Sequence, residues 1–256
     1  MIPKNLHTIW IGDNQPKYDF RNRWNFFNGW NITHWNENSI RQEFPEISFD
    51  NLGPTKMSDY ARILILQKYG GVYSDLDNIF LKSIDDLLNR ESFLTYQFPC
   101  ISAPKQFTPR GLSLKDEIKN NTNIFKFYNR DIYLNNSIIG SIPYSKMINK
   151  FVNVFEGDLK APTNQKFSYI DYGSGPTMTT HVGNFFVELN GCTQHTDEVS
   201  IFDYTYFHPT NYIEYKLATV NRNFNDVIDE QIQKGKQLNS YCVHAQVSSE
   251  VEGYIN

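Results

Sequence analysis

Asp75 and Asp77, in the stretch GGVYSDLDNIF from Gly70 to Phe80, are the acids whose spacing invites chemistry. If that stretch is extended, residues i and i+2 share one face. The two carboxylates then project together, about 7 Å apart at Cα. Carboxylates that close repel one another unless a cation sits between them. A hard divalent cation such as Mn²⁺ or Mg²⁺ prefers oxygen ligands. Held there, it could bridge to a diphosphate and neutralise its charge as it leaves. A solvated turn at a strand end is the plainer reading, because a lone Asp-x-Asp is a common pattern.

Three metal-using folds share the pattern. An EF-hand needs its oxygen ligands to continue, and Ile79 interrupts them. A haloacid-dehalogenase phosphatase carries the pair near the start of its fold with a small hydroxyl residue soon after; Ile79 and Phe80 speak against it. The third is a nucleotide-sugar glycosyltransferase. SDYARILILQKYGGVYSDLD as a whole resembles the central motif of a glycosyltransferase group that includes yeast Och1-type mannosyltransferases and bacterial capsular-polysaccharide enzymes. The large clostridial glucosylating toxins are more distant members. In that group an Asp-x-x-Arg pair precedes Gly-Gly-x-Tyr-x-Asp-x-Asp; here these are Asp59, Arg62, Gly70, Gly71, Tyr73, Asp75 and Asp77. IPKNLHTIWIG near the start is similar to the group's opening strand. The likeness is tight over residues 1–12 and 55–90 and loose elsewhere.

The resemblance implies a role for each matched position. Asp75 and Asp77 would hold the metal with His244, from SYCVHAQV, as a further ligand. Asp75, Asp77 and Arg62 would carry catalysis, Arg62 also offsetting phosphate charge. Trp10 would stack on the nucleotide base. Asp59 and Arg62 would hold donor-sugar hydroxyls, and Tyr73 would line the donor pocket. Asn136 matches an asparagine facing the sugar, with Asn135 the alternative register. Ser248 would join the patch around His244. GSGPTM resembles a turn near the reaction centre, with Ser174 in place of threonine before Gly175 and Pro176. The group's C-terminal strand has a second histidine and a tryptophan; here the histidine's place is Ala245 and no tryptophan follows. Each position also has a structural reading: a core tryptophan, a weak surface Asp59–Arg62 pair, a packed Tyr73, a core His244. His7, His34, His181, His195 and His208 match nothing and are assigned nothing.

These residues need elements to place them. Leu6 to Ile11 reads as a buried first strand ended by Gly12-Asp13. RNRWNFFNGW reads as an aromatic helix and NITHWN as a second strand, the start of an α/β fold. MSDYARILILQKYGG reads as a buried helix capped by Ser58, with Asp59 in its first turn and Gly70-Gly71 as its stop. VYSDLDNIFL then returns extended. Residues 99–123 lack a period and read as an excursion or lid. RDIYLNNSIIGS reads as a strand, YSKMINKFVNVFEGDL and NDVIDEQIQKGKQL as helices, DYGSGPTMTTHVGNFF as a turn and helix start, and SYCVHAQV as a strand. The resemblance implies a GT-A type fold: a Rossmann-like α/β sandwich with a mostly parallel central sheet, extra helices and a lid. A single catalytic domain over 1–256 is expected, with site parts at the carboxyl ends of strands.

Composition narrows the partners. The 256 residues are 40% hydrophobic, enough for a sizeable core. Net charge is −4 without a long basic run, which argues against nucleic acid. Cys100, Cys192 and Cys242 are odd in number and form no CxxC, so neither a disulfide framework nor a zinc site is expected, and a reducing compartment fits. No signal-peptide h-region or membrane-length apolar run is seen. A cytoplasmic location is expected, any membrane contact being peripheral. The resemblance implies a nucleotide-sugar donor, UDP-linked or GDP-mannose, and a glycan or lipid-linked acceptor. It also implies retention of anomeric configuration. A nucleotide-sugar hydrolase and a non-catalytic carbohydrate-binding protein are the alternatives on the same fold.

Overall fold

Each interior strand sends alternate side chains to two different cores. In the computed structural model, which describes residues 1–12, 19–50, 52–97, 134–160, 174–189, 192–209 and 223–245, the first strand is β1 (Asn5–Ile9). β2 (Asn31–Trp35) runs parallel beside it, Asn5 opposite Asn31 and Ile9 opposite Trp35. β3 (Gly71–Ser74) lies parallel on the other side of β1. β5 (Ser92–Tyr96), β6 (Leu134–Ser141), β7 (Gln194–His195) and β8 (Ser200–Phe202) complete a seven-stranded sheet ordered β2-β1-β3-β6-β5-β8-β7. β6 and β7 run opposite to the other five, so the sheet is mixed but mostly of one direction. A separate antiparallel pair joins β4 (Asn78–Phe80) to β9 (Cys242–His244).

The helices are α1 (Glu37–Glu43), α2 (Pro54–Tyr69), α3 (Lys146–Lys160), α4 (Ser174–Phe186) and α5 (Phe224–Gln237). Tyr73, Leu94 and Ile139 face one core with Tyr60, Ile65 and Phe151. Their neighbours Val72, Phe93 and Ile138 face the other, with Leu6, Phe80 and Phe202. That alternation is the period-two pattern of a sheet covered on both faces.

Three local expectations are corrected. RNRWNFFNGW is not a helix: only Arg21–Arg23 forms a 3₁₀ turn, and Trp30 N–H closes a tight turn onto Phe27 O. Gly29, with φ +77, bends the chain there. The aromatics still pack, Trp24 and Phe27 meeting Phe80 edge-on. Ser58 is not the helix cap: α2 begins four residues earlier, with Gly53 at the cap and Pro54 in the first turn, where its missing N–H costs nothing. The stretch after the helix is not one extended segment either, since β3 ends at Ser74, before the acids. The excursion over 99–123 lies outside the described residues.

The helix stop behaves as expected, and its geometry shows why two glycines stand there. Gly70 has φ +60, and a Cβ on it would lie 2.5 Å from Pro143 Cδ. Gly71 has φ +101, and a Cβ on it would lie 2.4 Å from Asn5 O of β1. A side chain at either position would be strained and would push β3 off its neighbours.

His7, to which the sequence assigns no role, ties this junction together. Its Nε2 lies 3.0 Å from Gly70 O, and its Nδ1 accepts from Trp35 Nε1 at 3.3 Å. Both contacts are satisfied by one neutral tautomer. Burial lowers its pKa from 6.5 to about 4, although the Gly70 carbonyl acts the other way. A depressed histidine pKa means the unfolded chain takes up the proton first. The contribution is therefore full above pH 6.5 and is lost as pH falls towards 4, up to about 3 kcal/mol. Urea melts of wild type and His7→Leu at several pH values should show the wild-type excess shrinking through this window. Parallel pH profiles would contradict it.

Candidate metal and donor site

The acids occupy the turn between β3 and β4, not one face of a strand as their spacing implies. Asp75 N–H donates to Ser137 O at 2.8 Å, and Asn78 N–H closes the turn onto Asp75 O at 3.2 Å. Asn78, fully buried, anchors the turn from beneath: its side-chain amide donates to Ser74 Oγ at 3.0 Å and to Ser137 O at 2.9 Å. Trp24 Nε1 donates to Asn78 O at 2.8 Å. Asn78 was missed in the sequence; its one signal is a polar residue opening an otherwise apolar strand.

His244 reaches the turn because β9 pairs with β4, placing it opposite Asn78. Ala245 N–H donates to Asp77 O at 2.9 Å, fixing strand to turn. His244 Nε2 lies 3.1 Å from Asp77 Oδ1. Potential ligand atoms of Asp75, Asp77 and His244 all fall within 4.8 Å of one another. Two carboxylates and one imidazole suit a divalent cation such as Mn²⁺. Burial disfavours charge on both Asp75 and His244. Burial, with Asp77 adding repulsion against the pull of Arg62, leaves Asp75 above the usual carboxylate range. For His244 the nearby Asp77 and Asp75 outweigh burial and raise its pKa above 6.5. Excess negative charge that already attracts a proton is the electrostatic condition for attracting a cation.

A second cluster adjoins the first. Arg62 and Asp59, on α2, are paired at 2.9 Å and buried, 6% and 4% exposed, so the surface-pair reading fails. Arg62 Nη1 donates to Asn136 O at 2.7 Å and stands 3.6 Å from Asp75 Oδ1. Its guanidinium lies over the Tyr73 ring, 4.4 Å from the centroid. Tyr73 O–H donates to Asp75 Oδ1 at 2.6 Å. Ser58, displaced from its expected capping role, accepts from Arg62 through its carbonyl at 3.4 Å and its hydroxyl at 3.3 Å. Burial opposes the Arg62 charge, but Tyr73, Asp59, Asp75 and Asp77 together raise its pKa above the ordinary value.

Asn136 side-chain N–H donates to Asp59 Oδ1 at 2.8 Å. Asn135 instead bonds locally to Ser137 N–H, so Asn136 is the asparagine that joins the cluster. Trp10 follows the carboxyl end of β1 and is 39% exposed, with its N–H on Trp35 O. Register matches His7 of β1 to Tyr73 of β3, which puts Trp10 and Asp75 at the same sheet edge. Ser248 lies outside the described residues, and Ser174, Gly175 and Pro176 open α4. A polar cavity of about 600 Å³ beside Asp86, Arg90 and His195 includes none of these groups.

One comparison with known proteins falls on the same segment. Residues 25–94 match the glycosyltransferase sugar-binding region containing DXD motif, and Asp75 and Asp77 lie inside it. The chain is 24% identical over 229 residues to the uncharacterized glycosyltransferase L373 of Acanthamoeba polyphaga mimivirus, covering 82% of this chain and 74% of that protein. It is 31% identical over 112 residues to inositol phosphoceramide mannosyltransferase 1 of Schizosaccharomyces pombe, covering 36% of this chain and 33% of that protein. It is 36% identical over 93 residues to the uncharacterized protein L263 of the same mimivirus, covering 34% of this chain. The chain spans only 16% of L263 and a third of the yeast enzyme. Among solved structures, the PaToxG glycosyltransferase covers the whole chain and is itself covered over 84%, at 15% identity and a TM-score of 0.43. The sequence likenesses support a glycosyltransferase with a DXD motif.

Proposed function

We propose that the chain is a metal-dependent, retaining hexosyltransferase of GT-A type. It would move a sugar from a nucleotide donor to a hydroxyl of a glycan or lipid-linked acceptor. The carrying observation is the convergence of Asp75, Asp77 and His244 beside the Asp59–Arg62–Asn136 cluster, with Asp59, Arg62, Asp75 and Asp77 inside the region that matches the DXD motif. A bound Mn²⁺ or Mg²⁺ would supply Lewis-acid stabilisation of the leaving diphosphate. Asp75, Asp77 and His244 would hold it. Tyr73 and Arg62 keep Asp75 turned towards the site, and Arg62 lends further positive charge. Asp59 and Asn136 hold sugar hydroxyls, Trp10 stacks on the base, and Ser248 is a further donor-binding residue. No carboxylate is assigned as a covalent nucleophile; the departing diphosphate takes the acceptor proton on the face it leaves.

A UDP-sugar is the favoured donor, through base stacking on Trp10. GDP-mannose is the other donor to test, since a relative is named a mannosyltransferase. That relative's name also makes a sphingolipid-type headgroup a reasonable first acceptor. The net charge of −4 without a long basic run argues against a nucleic-acid partner, and no helix among the described residues is long and apolar enough to cross a membrane. A cytoplasmic site of action and one catalytic domain over 1–256 complete the proposal.

The test is a panel of nucleotide sugars with Mn²⁺, read by thermal shift and by release of nucleoside diphosphate. The true donor raises Tm only with metal; at a hundredfold excess over Kd the linkage adds about 2.7 kcal/mol of stability. Sugar appears on an acceptor rather than free in solution. A panel with no metal-dependent shift would defeat the proposal, and free sugar alone would favour the hydrolase.

A further inference from the structure

His208 is the one buried histidine whose ring nitrogens both lack a hydrogen-bond partner among the described residues. It is 1% exposed and packs edge-on against His244, ring centroids 5.4 Å apart. His244 has a matching deficit: Nε2 faces Asp77, while Nδ1 is buried and unpartnered. Three unsatisfied nitrogens thus sit on two touching rings. A buried N–H left without a partner costs about 1–3 kcal/mol, so such a concentration calls for a compensating role.

The backbone holds the pair in place. His208 N–H donates to Tyr204 O at 2.7 Å, and Tyr241 N–H donates to Tyr206 O at 2.8 Å. Phe207 and Tyr206 stack on Tyr241, so the segment before His208 is bound beside β9.

We propose that His208 is a positioning residue for His244: it accepts the Nδ1–H of His244, directly after a small ring rotation or through one buried water. A histidine that gives one nitrogen to a metal must carry its proton on the other, and that N–H needs an acceptor to fix the ring. No carboxylate or carbonyl among the described residues accepts from Nδ1, and the His208 ring packs against the His244 ring. A neutral imidazole offers one ring nitrogen as an acceptor. This inference rests on the metal reading of Asp75, Asp77 and His244.

The test is Mn²⁺ affinity of the folded, donor-free protein, by paramagnetic resonance titration. His208→Phe keeps the ring and removes both nitrogens. It should weaken Mn²⁺ about tenfold or more, while the metal-free Tm holds or rises because unsatisfied groups are gone. His208→Gln, which offers an amide acceptor, should recover part of the affinity. Equal Mn²⁺ affinity in wild type and His208→Phe would overturn the inference and leave the metal site standing. No Mn²⁺ binding by wild type would instead overturn the metal reading, and this inference with it. Should His208→Phe fail to fold, ¹⁵N spectra of the unaltered protein decide. A single His208 tautomer with one accepting nitrogen supports the contact, and rapid exchange between tautomers contradicts it.

Discussion

Asp77→Asn is expected to eliminate metal-dependent transfer, lowering kcat/KM by at least about a hundredfold, the usual loss when a group stabilising developing charge is removed. The substitution keeps the shape of the side chain. The Ala245 N–H bond to Asp77 O involves only backbone and survives, so the turn should keep its form. What goes is one negative oxygen from a three-ligand set and the charge opposite His244. The pKa of His244 should then fall, because Asp77 is the chief influence raising it. Steady-state rates, Mn²⁺ titration and thermal melts on one preparation separate the cases. Lost rate and lost metal binding at near-constant Tm is the expected pattern. Wild-type Mn²⁺-dependent turnover in this variant would sink the assignment.

Arg62→Ala should instead act on the fold as well as on turnover. Removing the guanidinium takes from Asp59, 4% exposed, the cation 2.9 Å from its carboxylate, and the Asn136 amide supplies no compensating charge. It also strips the donor from Asn136 O and the cation from the face of Tyr73. Breaking a buried pair from one side costs about 3–5 kcal/mol. At about 2–4 °C per kcal/mol for a chain this long, Tm should drop by on the order of 10 °C. Adding Asp59→Asn should return part of the loss, since it removes the charge that Arg62 pairs with at 2.9 Å. A single variant within 1 kcal/mol of wild type in urea melts, or a double variant that is strictly additive, would show that the pair is not coupled as described. Transfer activity should not return in the double variant, because Arg62 also faces Asp75.

Much of this cluster was readable from local sequence. The Asp59 to Arg62 spacing, the Gly70-Gly71 stop and the two acids are short-range patterns, and α2 with its all-round apolar surface carries Asp59 and Arg62 and ends at the glycines as expected. Errors came where a local rule had a competitor. Ser58 is a good cap by type, but Pro54 after Gly53 started the helix sooner and left the serine hydroxyl for Arg62. Aromatic density near Trp24 read as a helix, yet Gly29 and tight turns prevailed. The acids read as strand residues because extended and turn backbone share a sequence signature until Asn78 is seen to close the turn. His208 was beyond reach, because its meaning lies in contact with His244 and no spacing encodes that. The same holds for β8, whose pairing with β5 joins distant parts of the chain.

The small β4–β9 ladder has a consequence for biogenesis. It joins Asn78 to His244, so a nascent chain exposes both carboxylates long before the imidazole has been translated. Closing so long a loop is slow and entropically costly. Competence to hold a cation with all three groups should therefore be among the last properties acquired. Metal uptake would then serve as a clock for completion of folding, ticking only when the distant strand has docked.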